Sequence, residues 1–252
     1  MDDQSLLNSS IVDVFFAINA VLFVITIGLA IYVFMKRNHR VIRNSSAMAS
    51  YIVLLGLIFI EMSVVFMCVS SSTASCTLID VFLLLGISLI IAILMAKTYR
   101  IYRIFQNPTA EAVRITDKHL LLFTAAICVG TIILMVLYDA LGGGLVPITK
   151  TAELNPLYLY TICEVRNSTI QLTFLIIFYA YFILLFVIAG VLAFMTRKTM
   201  IDFNESWDVG FIVYSWLAIT VIYAPLYYLQ GDSTNSNQTI YTIRFIAIAL
   251  AI

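Results

Sequence analysis

Charged side chains are scarce in this sequence, and their positions limit what chemistry it can do. Of 252 residues, 62% are apolar or aromatic and 11% are Asp, Glu, Lys or Arg, with 14 basic residues against 14 acidic. Four ionisable residues fall within or beside long apolar runs: Glu61, Asp80, Asp139 and Arg244. Charge in hydrocarbon is expensive and usually faces a bundle interior. One cation among three carboxylates therefore suggests a partly paired polar pocket, open to a cationic ligand or ion. The plainer reading is a set of interhelical struts or groups reaching for the headgroups. A further opposite pair, Lys97 and Glu205, borders two of the runs. Cys76 and Cys163 lie outside the hydrocarbon stretches, while Cys68 and Cys128 lie inside them as small apolar fillers. Four cysteines are too few for a disulfide framework but enough for one bridge. Two histidines, His39 and His119, are too few for an imidazole metal site. No glycine loop suited to phosphate and no nucleophile constellation occurs. No enzyme activity, metal, cofactor or nucleic-acid partner is expected.

The elements that must carry these residues are membrane helices. A soluble domain holds about 45–50% apolar and about 25% charged residues, so this composition excludes disorder, a fibre, a coiled coil and a small disulfide scaffold. Crossing the hydrocarbon takes about 20 apolar residues in a helix. Six runs qualify: Val14 to Met35, Ala47 to Ser70, Thr77 to Ala96, His119 to Leu141, Ile170 to Phe194 and Val209 to Leu229. A seventh begins near Ile240, and its residues up to Ile252 cover only about 20 Å. It reads as a truncated seventh helix, with a re-entrant piece as the alternative. The runs are apolar all round, without the alternation of a membrane barrel. The expected fold is an all-α membrane bundle of seven helices with the seventh incomplete. Residues 1–13 form a short outer N-terminus and 14–252 the transmembrane domain.

Sidedness follows from the cations, because Lys and Arg are retained on the cytoplasmic face. Eleven of the fourteen fall in the first, third and fifth loops, from Lys36, Arg37, Arg40 and Arg43 through Lys97, Arg100, Arg103, Arg114 and Lys118 to Arg197 and Lys198. Only Lys150 and Arg166 fall on the other side. The N-terminus is therefore expected outside, with the first helix as its own anchor, since Met1-Asp2-Asp3 lacks the basic start of a cleaved signal. The sequons at Asn8, Asn167 and Asn237 then lie outside as possible glycosylation sites. Cys76 and Cys163 face the oxidising side, where a bridge can form. It would close a loop of nearly ninety residues and hold the large outer loop over the helix mouth.

Several segments together resemble the class C G-protein-coupled receptors, nearest to the metabotropic GABA (GABA-B) type. Ala96-Lys97-Thr98-Tyr99-Arg100 with Ile104-Phe105 is similar to the inner end of that family's third helix. Ser75-Cys76-Thr77 and Cys163-Glu164 resemble its bridge partners, and Tyr179-Ala180-Tyr181 with Leu184-Leu185 its fifth helix. Phe203-Asn204-Glu205-Ser206, Val209-Gly210 and Val213-Tyr214 resemble its third inner loop and sixth helix, with Tyr223-Ala224-Pro225 in the outer part. Ile79 stands where GABA-type members carry Arg. The resemblance implies a plasma-membrane receptor that passes the signal of an extracellular ligand to a heterotrimeric G protein. It also implies pairing with a copy of itself or with a related receptor.

Under that resemblance Lys97 and Glu205 form an ionic latch between the inner ends of the third and sixth helices. Two charges at a membrane edge can hold helices together and release them, a bistable element of the kind a receptor needs. The alternative is two solvated interfacial charges worth about 0–1 kcal/mol, and Asp208 is a rival partner. Arg37, Arg40, Arg43, Arg100, Arg103 and Arg114 offer a G-protein-facing surface, or simply orient the chain and touch anionic lipid. Pro225 should bend the sixth helix, the alternative being a proline tolerated there for packing alone. Other classes make different demands. A retinal protein needs a Lys midway along the last helix, where only Arg244 is visible. A transporter would often show internal repeats and broken helices near the midplane, and no half-to-half similarity is present.

Overall fold

The computed structural model describes residues 9–37, 47–68, 72–106, 117–142, 144–152, 155–165 and 167–196. Five helices and one hairpin follow each other in the order α1 (Ser9–Met35), α2 (Ala47–Cys68), α3 (Thr73–Gln106), α4 (Asp117–Ala140), β1 (Leu145–Ala152), β2 (Asn155–Val165) and α5 (Ser168–Thr196). All five helices are long and apolar enough to cross a membrane. Their backbones satisfy themselves internally, which is the condition for lying in lipid. The expected sixth and seventh spans, with Pro225, fall outside the described residues.

Helix ends depart from the apolar runs where local chemistry extends the helix. α1 starts at Ser9, five residues before Val14. α3 runs on past Ala96 to Gln106, so its 34 residues extend about 51 Å against a hydrocarbon thickness of about 30 Å. Hydropathy marks where the lipid ends, not where the helical hydrogen bonds end. Caps mark the latter. The Ser72 hydroxyl accepts the Ser75 N–H at 3.1 Å at the start of α3. Asn167 Oδ1 accepts the N–H groups of Thr169 and Ile170 at 3.1 and 3.4 Å at the start of α5. Gly142, at φ +83°, donates to the Asp139 carbonyl at 3.0 Å and closes α4 in a conformation that favours glycine.

The segment between α4 and α5 is not the irregular connection that an all-α reading implies. β1 and β2 pair antiparallel, from Leu145 opposite Val165 to Thr151 opposite Leu159, with a register shift between Thr151 and Ala152. Val146, Ile148, Thr149, Tyr158, Tyr160 and Ile162 suit a pleated surface. Pro147 is tolerated because each strand of a two-stranded ribbon has a free edge.

α3 is the hub, packing against α2, α4, α5 and β1. Between α2 and α3 the backbones nearly touch: a Cβ built on Gly86 would lie 2.7 Å from the Gly56 carbonyl oxygen. Between α3 and α5 the contact is an apolar cluster of Ile91, Met95, Phe182, Leu185, Phe186 and Ala189. Aromatic rings meet toward the hairpin end, with Phe82 between Phe59 and Phe66 and with Tyr138 against Phe174 and Phe178. The hydroxyls of Thr98, Thr124 and Thr131 donate to carbonyls one turn back, which removes unpaired donors from the lipid phase.

Candidate functional site

The hairpin end of the helices is tied down by covalent chemistry. Cys76, fully buried in the first turn of α3, is bonded to Cys163 of β2, with Cα atoms 5.6 Å apart and a sequence separation of 87. Cys163 pairs in register with Pro147, so the bond holds both strands of the hairpin against the N-terminal end of α3. The expected bridge is thus present in the structure.

The intramembrane carboxylates sit in three different settings. Glu61 is fully buried on α2. Asp80 is partly exposed near the N-terminal end of α3, and Asp139 is exposed where α4 ends, beside Gly144. Arg244 lies outside the described residues. The contacts of Glu61 run to α1: Thr26 Oγ1 lies 2.6 Å from its Oε1, and Asn19 Nδ2 donates to its main-chain carbonyl at 3.5 Å. Neither Asn19 nor Thr26 was singled out from the sequence. The signal was there, because two polar residues two turns apart interrupt an otherwise apolar run and so mark one face of α1.

Toward its C-terminus, α3 carries Lys97, Arg100 and Arg103 at successive spacings of three. Lys97 and Arg100 are partly buried and Arg103 is exposed, and such spacing makes them neighbours along the helix. Arg37 is exposed in the turn after α1, its guanidinium 5.1 Å above the Phe34 ring. Arg40, Arg43, Arg114, Glu205 and the rival Asp208 fall outside the described residues, as do the sequons at Asn8 and Asn237. Asn167 is exposed and caps α5 with its side-chain carbonyl oxygen. Cys128 is partly buried and receives the Ser88 hydroxyl at 3.8 Å. No group of three or more metal-ligating side chains occurs among the described residues.

Apolar helices around a central α3, with a cystine-held hairpin at one end, define a multi-pass helical membrane protein. The family model described as "7 transmembrane sweet-taste receptor of 3 GCPR" matches residues 7–252. The chain belongs to this seven-transmembrane family of class C G-protein-coupled receptors. It is similar to metabotropic glutamate receptor 4 of Macaca fascicularis, with 26% identity over 231 residues, 85% of this chain and 24% of that receptor. It is also similar to the metabotropic glutamate receptor of Drosophila melanogaster, with 25% identity over 224 residues, 86% of this chain and 22% of that one. Metabotropic glutamate receptor-like protein B of Dictyostelium discoideum shares 25% identity over 232 residues, 88% of this chain and 29% of that one. The chain thus spans about a quarter of the length of these relatives. They are of the metabotropic glutamate type and lend no support to the GABA-B subfamily, in keeping with Ile79 where that subfamily carries Arg. The retinal-protein and transporter alternatives are not favoured.

Proposed function

We propose that this chain is the transmembrane signalling domain of a metabotropic glutamate receptor-like class C receptor. In this reading it relays an extracellular ligand signal to a heterotrimeric G protein through movement of the inner helix ends. The observation that carries the reading is the family match over nearly the whole chain. The receptor sits in the plasma membrane with its N-terminus outside, a reading supported by the concentration of cations in the first, third and fifth loops. The inner surface of Arg37, Arg40, Arg43, Arg100, Arg103 and Arg114 meets the G protein and anionic lipid. The receptor works beside a second copy or a related receptor.

Lys97 and Glu205 latch the resting state. Lys97 stands at the level where α3 leaves the hydrocarbon, and Glu205 stands four residues before the sixth apolar run, on the same side. Lys97→Ala or Glu205→Ala is expected to raise basal G-protein signalling in transfected cells, measured at matched surface expression. Charge reversal at both positions together should restore the basal level. If reversal singly and together leaves basal and stimulated signalling unchanged, the latch is wrong. If the chain expressed with its full receptor activates no G protein at all, the signalling role itself fails.

A further inference from the structure

Helix α1 turns one narrow stripe inward: Asn19, Leu22, Thr26, Ala30 and Val33. Among its described side chains, only two are more than nine-tenths buried, and both are polar: Asn19 and Thr26, 4% and 3% exposed. Both meet the same residue of α2, the fully buried Glu61. Two oxygens of these residues, Glu61 Oε2 and Asn19 Oδ1, are buried with no hydrogen-bond partner among the described residues.

Donors and acceptors do not balance. Thr26 Oγ1 lies 3.1 Å from the Leu22 carbonyl and 2.6 Å from Glu61 Oε1, and its hydroxyl has one proton for both. The Asn19 amide spends one N–H on the Glu61 carbonyl. The cluster is therefore rich in oxygen acceptors and poor in donors, and it contains a carboxylate. An ionised carboxylate in hydrocarbon needs a counter-charge. The Lys and Arg side chains described on α1, α3 and α4 stand toward the inner ends (Lys36, Arg37, Lys97, Arg100, Arg103 and Lys118), while Glu61 stands seven residues from the outer end of α2.

We propose that Glu61, Asn19 and Thr26 form a binding site for a monovalent cation between α1 and α2. The donor set is all oxygen, as hard cations require. Its single negative charge balances a single positive one. A calcium ion would need six to eight oxygens, and magnesium a near-ideal octahedron at about 2.0–2.1 Å. The ion would accept electron density from Glu61 Oε2 and Asn19 Oδ1, the two atoms left without partners, and would join α1 to α2.

This site does not depend on the signalling role, because its readout is ion binding. The full chain, purified in lipid nanodiscs, is melted in sodium, potassium or choline chloride at one pH and one ionic strength. Sodium is expected to raise the melting temperature saturably, by roughly 3–6 °C at tenfold excess over its dissociation constant, and choline not at all. Glu61→Gln, which keeps the shape and removes the charge, should abolish the rise. Asn19→Leu should move its midpoint to higher sodium. Should Glu61→Gln fail to fold, radiosodium retention decides: wild type holds the ion and Asn19→Leu loses it. The proposal is overturned if wild type melts identically in all three salts, as a neutral Glu61 or an Arg244 counter-charge would produce. It is equally overturned if Glu61→Gln keeps the full sodium response, or if wild type retains no radiosodium.

Discussion

Four helical glycines offer a test of the α2–α3 contact with built-in controls. A methyl group at position 86 would meet Ile60 Cγ1 at 2.6 Å, the Gly56 carbonyl oxygen at 2.7 Å and the Ile60 nitrogen at 3.1 Å. Two of those three atoms are backbone, so relief requires the helices to part. At position 56 the methyl would meet Ile90 Cγ1 at 2.7 Å and the Gly86 carbonyl oxygen at 3.0 Å, and here part of the strain can pass into a side chain. At positions 28 and 190 nothing lies within 4 Å. Replacing Gly by Ala in a helix gains about 1 kcal/mol of propensity, and that gain is common to all four sites. Overpacking costs about 1–3 kcal/mol, and it applies only to the first two. Gly86→Ala should therefore lie about 1–3 kcal/mol below Gly190→Ala, or roughly 2–12 °C in melting temperature for a chain of this size. Gly56→Ala should fall between them. Gly28→Ala and Gly190→Ala should match or exceed wild type. Thermal melting of the detergent-purified chain, followed by size exclusion, measures the order. If Gly86→Ala melts at or above Gly190→Ala, the backbones are not in contact at this crossing and the reasoning fails.

Replacing Cys76 and Cys163 by Ser should lower stability by at most about 4–5 kcal/mol, the chain-entropy value for a loop of this length. Helices already ordered in the unfolded membrane state reduce that effect, and the double variant should be no worse than either single one. A melt that is unchanged in the double variant, and equally insensitive to reductant in wild type, would contradict a structural role for the bond. Tyr181→Phe removes a hydroxyl that donates to the Ile127 carbonyl at 3.0 Å, joining α5 to α4. The expected loss is about 0.5–1.5 kcal/mol, read as a melting shift of a few degrees. A variant as stable as wild type would show that water or lipid replaces the contact at no cost.

The five described spans were legible because lipid imposes one coarse requirement, a long apolar stretch, and five runs between Val14 and Phe194 meet it. What lipid does not enforce was harder to read. α3 continues ten residues beyond Ala96 because Tyr99, Arg100 and Ile101 keep a helical backbone outside the hydrocarbon as readily as within it. The hairpin had its signals: β-branched and aromatic residues from Leu145 to Val165, with Gly142-Gly143-Gly144 before the first strand and Asn155-Pro156 opening the second. They were hidden because an outer loop need not fold at all, and only pairing across the loop makes strands of these residues. The partner of Cys76 could be read because sidedness left Cys163 as the other thiol on the oxidising face. Glu61 could be read as buried, but its partners could not. Spacing within α1 shows that Asn19 and Thr26 share a face, whereas only tertiary packing shows that the face meets α2.

That last contact follows from the solvent. Apolar side chains gain little by leaving lipid for protein, so helices in a membrane associate through close packing and hydrogen bonds. The described helices use both. α2 and α3 meet where Gly56 and Gly86 remove the side chains that would hold them apart. α3 and α5 interlock large apolar groups around Phe182 and Phe186. Among the described residues α1 shows neither device: a Cβ at Gly28 would meet nothing within 4 Å, and its apolar residues from Val14 to Met35 are largely exposed. What it buries most deeply is Asn19 and Thr26, and both are spent on Glu61. The position of α1 against α2 therefore depends on a polar contact whose strength changes with the charge state and occupancy around one carboxylate. An apolar seam would hold the helix regardless of ions. A polar seam makes the docking of α1 conditional, so the same residues that fix the helix in place also make it responsive.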